Sequence, residues 1–324
     1  MNPRLVVLDA SFGEIGIESE AAAAYGVSVR DAGGVSGQAV VQAAGSADGI
    51  LVQYGQITRE IIEQCPSWRV IGRYGVGVDN VDLDAATEHG IAVINVPDYC
   101  VEEVATHAAA LLLAAWRKLA QSRELIDDGR WGDWKALQPI QPMSSSTLGL
   151  VGIGRIGGEV IRLLRPFFGQ VISFDPVQDP PAGVRAATLD EVFSEADVIS
   201  LHCPLTAETR DLVNAERLNS MKPGALLVNV SRGPLVDTVA LNEALRSGTI
   251  AGAALDVLPQ EPPDAGDPLL SAPNLVLTNH SAWYSEVSLV RLRQLLAQRC
   301  CDALAGEPVP TIVNARELAA RVPS

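Results

Sequence analysis

The run LGLVGIGRIGG (148–158) constrains the fold more than any other stretch, because it places a glycine loop in the middle of the chain. Its spacing is Gly152-x-Gly154-x-x-Gly157, directly after a strand-like run and directly before a helix-like one. In that setting the first glycine permits a tight turn, the second lets backbone approach a pyrophosphate, and the third lets helix and strand pack closely. Ile153, Arg155 and Ile156 complete the loop, and unpaired N–H groups at the helix start suit phosphate oxygens. The next strand, VISFD, ends in Asp175, close to the ~20-residue spacing at which an acidic side chain meets the adenosine ribose. A carboxylate there accepts from the ribose hydroxyls and repels a 2′-phosphate, which selects NAD over NADP.

Around this loop, short β-branched runs alternate with alanine- and leucine-rich stretches, the pattern of a parallel sheet covered by helices. Before the loop, LVVLD (5–9), GILVQ (49–53), VIGR (70–73) and IAVINV (91–96) read as strands. TREIIEQC (58–65) and LDAATEHG (83–90) read as helices, the latter stopped by Gly90 in a left-handed conformation. A long helix is expected from Val101 to about Asp128, followed by an irregular arm, 129–146, that carries two tryptophans. TLGLV, VISFD, ADVISLHC, ALLVNVSRG, IAGAALDV and NLVLTNH then form a second alternating set. Beyond residue 285 the chain holds mostly one helix, too little for a third domain, so this tail must pack on an existing one. The fold class is α/β, with two Rossmann-like or flavodoxin-like domains.

Composition narrows the function. A formal charge of −15 argues against nucleic acid, since phosphate neutralisation needs basic clusters. No apolar stretch reaches the ~18–20 residues of a membrane span. The five cysteines show no metal-ligand spacing and are odd in number, so neither a metal site nor a disulfide framework is expected. The start, MNPRLVVLDAS, has no cleavable leader pattern, and the expected location is the cytoplasm.

Several stretches together resemble the D-isomer-specific 2-hydroxyacid dehydrogenases. They are VIGRYGVGVDNVD (70–82), NVPDYCVEEVATHAAALLLAAWRKL (95–119), the glycine loop, LHCPLTAETRDLV, MKPGALLVNVSRGPLVD, GAALDVLPQEPP and NHSAWYSE. The tryptophan in the last is most similar to the branch containing the C-terminal-binding proteins. The resemblance implies an NAD-binding domain at 99–285 inserted into a substrate domain formed by 1–98 plus 286–324, with the active-site cleft between them.

It also implies a catalytic set. Reducing a 2-oxo acid requires a hydride, a proton for the carbonyl oxygen and a cation for the carboxylate. His280 matches the family's proton donor, a residue type whose unperturbed pKa lies near neutrality. Glu261 matches the carboxylate that favours the imidazolium, and Arg232 the guanidinium that binds the substrate carboxylate. Asn279 stands where the family commonly has proline. By the same matching, Cys203, Pro204 and Thr209 pass the adenine-ribose side, and Val230 and Ser231 approach the nicotinamide. Asp256 holds its carboxamide, and Val76, Arg232, His280 and Ala282 join the cofactor contacts. Backbone at Gly75, Val76 and Gly77 cradles the substrate carboxylate, with Arg73, Trp283, Gln53 and Tyr54 lining the pocket. The substrate is then a small 2-oxo or 2-hydroxy acid. An NAD(H)-sensing scaffold and a phosphite-type dehydrogenase remain alternatives, although Glu261 argues against a formate enzyme. The apolar helix and the tryptophan-bearing arm imply a homodimer through the NAD-binding domain.

Overall fold

Nearly all of the apolar runs become strands of two wholly parallel sheets in the computed structural model, which describes residues 2–321. Met1 and 322–324, assigned to the substrate domain by the sequence reading, lie outside the described residues. The chain divides into two compact units. One runs through Tyr99 and resumes at Ser285, and the other is Cys100–Tyr284.

In the first unit, β1 (Arg4–Asp9), α1 (Gly16–Ala23), β2 (Ser28–Asp31), α2 (Ala39–Ala44), β3 (Gly49–Val52), α3 (Arg59–Glu63), β4 (Val70–Arg73), α4 (Leu83–Glu88) and β5 (Ala92–Ile94) alternate strictly. Their sheet order is β2-β1-β3-β4-β5, the flavodoxin-like arrangement. Every residue of β3 is buried, as a strand covered on both faces demands. Its side chains join Val6, Leu8, Ile71 and Val93 from the neighbouring strands, and Ile61, Ile62 and Trp68 pack on them.

The second unit contains α5 (Val101–Trp116), α6 (Leu119–Asp127), β6 (Thr147–Val151), α7 (Arg155–Leu164), β7 (Gln170–Phe174), β8 (Arg185–Ala186), α8 (Leu189–Glu195), β9 (Val198–Leu201), α9 (Ala215–Ser220), β10 (Leu226–Asn229), α10 (Thr238–Ser247), β11 (Gly252–Leu255) and β12 (Leu275–Leu277). The order β12-β11-β10-β9-β6-β7-β8 reverses direction at β6, and that reversal is where open α/β sheets bind their ligands. β9, β10 and β11 are buried throughout. Asp237 caps α10 by accepting from the N–H groups of Val239 and Ala240, and Gly248 ends it at φ 75°. Such a cap contributes about 1 kcal/mol.

The tail returns to the first unit as α11 (Glu286–Ala305) and α12 (Ala315–Arg321). α11 packs on α1 and β4. Arg293, in its middle, donates from Nε and Nη2 to the two carboxylate oxygens of Glu18 at 2.8 and 2.7 Å. Tyr74 adds a hydroxyl donor to the same carboxylate at 2.9 Å. Glu18 is fully buried, and this set of charge-assisted bonds offsets its desolvation.

The helix expected over 101–128 is two helices. Arg117 and Lys118 close the first with bonds to the carbonyls of Leu113 and Ala115, and Lys118 takes a left-handed φ of 52°. The cause is burial. α5 has an apolar stripe of Val104, Ala105, Ala108, Leu111 and Leu112 to cover, whereas α6 buries no residue at all. Gly90 does sit at φ 72° beyond α4. Among the described residues, no helix is long and apolar enough to cross a membrane.

Candidate active site

The glycine loop turns between β6 and α7 in a space that tolerates no side chain. A Cβ on Gly152, whose φ is 90°, would lie 2.7 Å from the carbonyl carbon of His202 and 2.8 Å from the Cys203 nitrogen. A Cβ on Gly157 would lie 2.3 Å from the Gly152 oxygen. Gly154 differs, because the space its Cβ would enter is open. It caps α7 without a side-chain bond, so the first N–H groups of that helix point onward from the loop.

Asp175 follows β7, beside this loop. Its Oδ2 accepts from Ile153 N at 2.9 Å, and its Oδ1 accepts from Val177 N and Gln178 N at 2.9 and 3.0 Å. Burial pushes its carboxyl upward, but the three N–H donors outweigh burial and hold it below the ordinary value. Asp175 therefore stays anionic beside the glycine loop. His202 is a different case: burial lowers its pKa to about 4, so it is neutral, with Nε2 2.8 Å from Ser200 Oγ. Burial also raises the Cys203 thiol to about 11, which removes it as a nucleophile at neutral pH. Thr209 donates to the Pro204 carbonyl at 2.7 Å and shapes the loop between them.

Arg232, Glu261 and His280 lie in the loops that follow three adjacent strands, β10, β11 and β12 respectively. After β10, Asn229 ties the turn, accepting from Ser231 N at 3.0 Å and donating to the Arg232 carbonyl at 2.8 Å. Ser231 Oγ reaches back to the Leu201 carbonyl at 2.8 Å, beside the buried Val230. A Cβ on Gly233 would meet the Leu258 carbonyl carbon at 1.9 Å, so only glycine lets the β10 and β11 loops approach this closely. That approach puts the Arg232 charge within influence of Glu261.

Glu261 Oε1 accepts from Leu258 N at 2.8 Å, and Oε2 lies 2.5 Å from His280 Nδ1. Burial pushes the Glu261 carboxyl up. The hydrogen bond and charge of His280, the Leu258 N–H and the Arg232 charge outweigh it, and the pKa falls below 4.5. Because a carboxylate only accepts, His280 Nδ1 carries a proton and donates it. His280 itself has a left-handed φ of 55°, unusual for a residue with a side chain. Its N–H donates to the Asp256 carbonyl at 2.8 Å. The Asp256 carboxylate accepts from Ser281 N, Ala282 N and Thr278 Oγ1 at 3.0, 3.0 and 2.5 Å.

Residues 109–282 match the model for the D-isomer specific 2-hydroxyacid dehydrogenase, NAD binding domain. The chain belongs to the D-isomer-specific 2-hydroxyacid dehydrogenase family. A glyoxylate reductase of Korarchaeum cryptofilum is 38% identical over 273 residues, covering 82% of each chain. A D-3-phosphoglycerate dehydrogenase of Methanocaldococcus jannaschii is 37% identical over 88% of this chain, which spans only 55% of that longer protein. A D-lactate dehydrogenase of Aquifex aeolicus, solved with NAD and lactic acid, superposes with a TM-score of 0.83 at 29% identity, covering 94% of this chain and 96% of that one.

The chain is thus an NAD-dependent oxidoreductase acting on 2-hydroxy acids. Its loop fits that cofactor: two glycines allow close backbone packing, a third leaves open space at a helix N-terminus, and a carboxylate follows the next strand beside them. Gly152, Ile153, Gly154, Arg155, Ile156 and Gly157 form this turn and the start of α7, and Asp175 lies beside it.

In the other unit of this dehydrogenase, the residues matched to substrate follow β3 and β4. Gln53 is buried and turned inward, its amide oxygen accepting from Ser11 N at 2.8 Å, while Tyr54 is exposed. Asp9 locks this loop by accepting from the N–H groups of Gln53, Tyr54 and Gly55 at 2.7–2.8 Å. The Arg73 guanidinium folds over Gly75, whose φ of 138° favours glycine. The Val76 carbonyl accepts from Asn95 Nδ2 at 2.5 Å. Trp283, at the end of the nucleotide unit, packs edge-on against Tyr284, with ring centroids 5.6 Å apart.

The sequence reading missed Asn229, Gly233 and Asp9. Asn229 ties backbone two and three residues further along its own turn, whereas Gly233 and Asp9 meet the backbone of a neighbouring loop. A glycine directly after Arg232, and an aspartate closing an apolar strand, are the only local signals of the last two.

Proposed function

We propose that the chain reduces 2-oxo acids with NADH, with His280 as proton donor, Glu261 stabilising the imidazolium and Arg232 binding the substrate carboxylate. The single observation that carries this reading is the 2.5 Å contact of His280 Nδ1 with a Glu261 carboxylate under the influence of Arg232. When bound, the nicotinamide supplies the hydride. The chain's own task is the proton and the charge. With Nδ1 committed to Glu261, Nε2 delivers the proton to the carbonyl oxygen, and the carboxylate compensates the positive ring before transfer. The planar guanidinium of Arg232 suits a carboxylate in two-point contact and draws charge from the adjacent carbonyl. Gln53, Tyr54, Arg73, Gly75, Val76, Gly77 and Trp283 are assigned to the substrate. Val76, Cys203, Pro204, Thr209, Val230, Ser231, Asp256 and Ala282 are assigned to the cofactor.

A panel of 2-oxo acids, glyoxylate and hydroxypyruvate included, tests the reading by NADH consumption. At least one should turn over, and His280→Gln should lower kcat at least ~100-fold, the scale of a lost general acid. Tight NADH binding with no turnover on any oxo acid would favour an NAD(H)-sensing protein instead.

The assembly we propose is a homodimer through the nucleotide unit. α6 and the following arm expose Leu119, Ile126, Trp131 and Trp134, with Trp131 84% exposed. So much apolar surface calls for a partner. Sedimentation at micromolar concentration should give twice the chain mass. The cytoplasm is the proposed location, in keeping with five free cysteines.

A further inference from the structure

Helix α5 carries a single histidine along its apolar stripe, His107, and its ring reaches Thr278, just after β12 and two residues before His280. His107 Nε2 lies 3.0 Å from Thr278 Oγ1 and 3.6 Å from Asp256 Oδ1. Thr278 Oγ1 lies 2.5 Å from the same Asp256 oxygen. A hydroxyl has one hydrogen and a carboxylate has none to give, so the directions are fixed. Thr278 donates to Asp256, and His107 donates its Nε2–H to Thr278. The chain of donors therefore runs from α5 to a carboxylate that is 1% exposed.

That carboxylate shapes the turn around His280. It takes the N–H groups of Ser281 and Ala282, and its residue's carbonyl takes the N–H of His280. The left-handed φ of His280 is disfavoured for a residue with a side chain and persists only where the surroundings dictate it. Here three N–H groups in succession are claimed by one residue, Asp256. Its rotamer in turn is fixed from the far side by Thr278 and His107. With the hydroxyl removed, the carboxylate loses its shortest bond, and only the Ser281 and Ala282 N–H groups and the His107 ring at 3.6 Å hold it.

We infer that His107 and Thr278 are positioning residues for the proposed proton donor: they lock the Asp256 carboxylate, which locks the backbone that aims His280. Neither touches substrate. This inference rests on the reading of His280 as the acid. Its mechanism is orientation, and a misplacement of about 1 Å at a reacting group can cost ~100-fold in rate.

The test is single-turnover hydride transfer on Thr278→Val, Thr278→Ser, His107→Leu and the Val/Leu double variant, with NADH affinity measured by fluorescence titration. Thr278→Val and His107→Leu should each slow transfer about tenfold or more at saturating NADH, a larger loss than any in NADH affinity, which Asp256 also serves. The double variant should be no slower than its slower parent, because both break one chain of bonds. Thr278→Ser, which restores the hydroxyl, should recover most of the rate. His107 is partly exposed, so His107→Leu decides the matter should Thr278→Val fail to fold. Near-normal transfer in the single variants, losses that multiply in the double, no recovery in Thr278→Ser, or a parallel loss of NADH affinity would each overturn the inference. His280→Gln in the same assay separates the two claims. Normal transfer there sinks the proton-donor reading itself. A defect there with normal transfer in Thr278→Val and His107→Leu sinks only the role of α5.

Discussion

Two turns at the strand ends of the same sheet keep unusual backbone shapes by opposite means. The glycine loop after β6 is held by emptiness: Gly152 and Gly157 have neighbours where a Cβ would go, all but one of them backbone. The His280 turn after β12 is held by occupancy, with the carbonyl and carboxylate of buried Asp256 taking three successive N–H groups. The first shape fails when an atom is added, and the second when an acceptor is removed. The difference follows from what each turn must present. A loop that brings backbone to phosphates needs no side chain, whereas a turn that aims an imidazole must carry one through a left-handed conformation.

The largest expected effect comes from adding an atom to the first turn. Gly152→Ala places a Cβ under 3 Å from backbone at φ 90° and should weaken NADH binding at least ~100-fold by fluorescence titration. Binding within a few-fold of wild type would mean the loop relaxes, and the contrast between the turns would collapse. Removing an acceptor from the second turn ranks next. Asp256→Asn leaves one of the Ser281 or Ala282 N–H groups facing an amide, which should lower stability by about 1–3 kcal/mol in urea unfolding. An unchanged midpoint would show that the turn does not depend on its carboxylate.

Asp175 sharpens the comparison at the edge of the glycine loop, because there an acceptor also claims loop backbone through Ile153 N. Asp175→Ala should cut the preference for NADH over NADPH, in kcat/KM, by roughly tenfold, the scale of one lost charge contact. The smallest effect is electrostatic. The Glu261 pKa is lowered in the folded chain, so its stabilisation is present above about 4.5 and is lost as pH falls through the lower folded value. Melting temperatures of Glu261→Gln and wild type should therefore differ at pH 6 and converge as the pH approaches 3. A gap that persists at pH 3 would assign the effect to packing.

What a sequence displays depends on how far apart the cooperating residues lie. The glycine loop and Asp175 were legible because strand, turn, helix and acid follow one another within a few turns of chain. Arg232, Glu261 and His280 were legible through motifs at successive strand ends, though spacing alone could not bring them together. β2, SVRD, was missed because an edge strand with mostly exposed residues needs no apolar run. The break at Lys118 was missed because propensity favours helix on both sides, and only burial distinguishes them. His107 belongs to no catalytic motif of its own, and its partner lies far along the chain. Its one local signal was a polar ring on a stripe that buries its neighbours, where an unbonded group would be costly.

The return of α11 to the first unit imposes an order on synthesis. A ribosome delivers residues at ~5–20 per second, so roughly 10–40 s separate the emergence of Tyr99 from that of Ser285. Through that interval the five strands of the first sheet are all available, yet Glu18 has no Arg293 and β4 lacks the helix that covers it. The nucleotide unit, continuous from Cys100 to Tyr284, can close on its own material before the unit that precedes it in the chain is complete. The part made first is finished last, and the carboxylate of Glu18 keeps it open to water until the final helix brings its guanidinium.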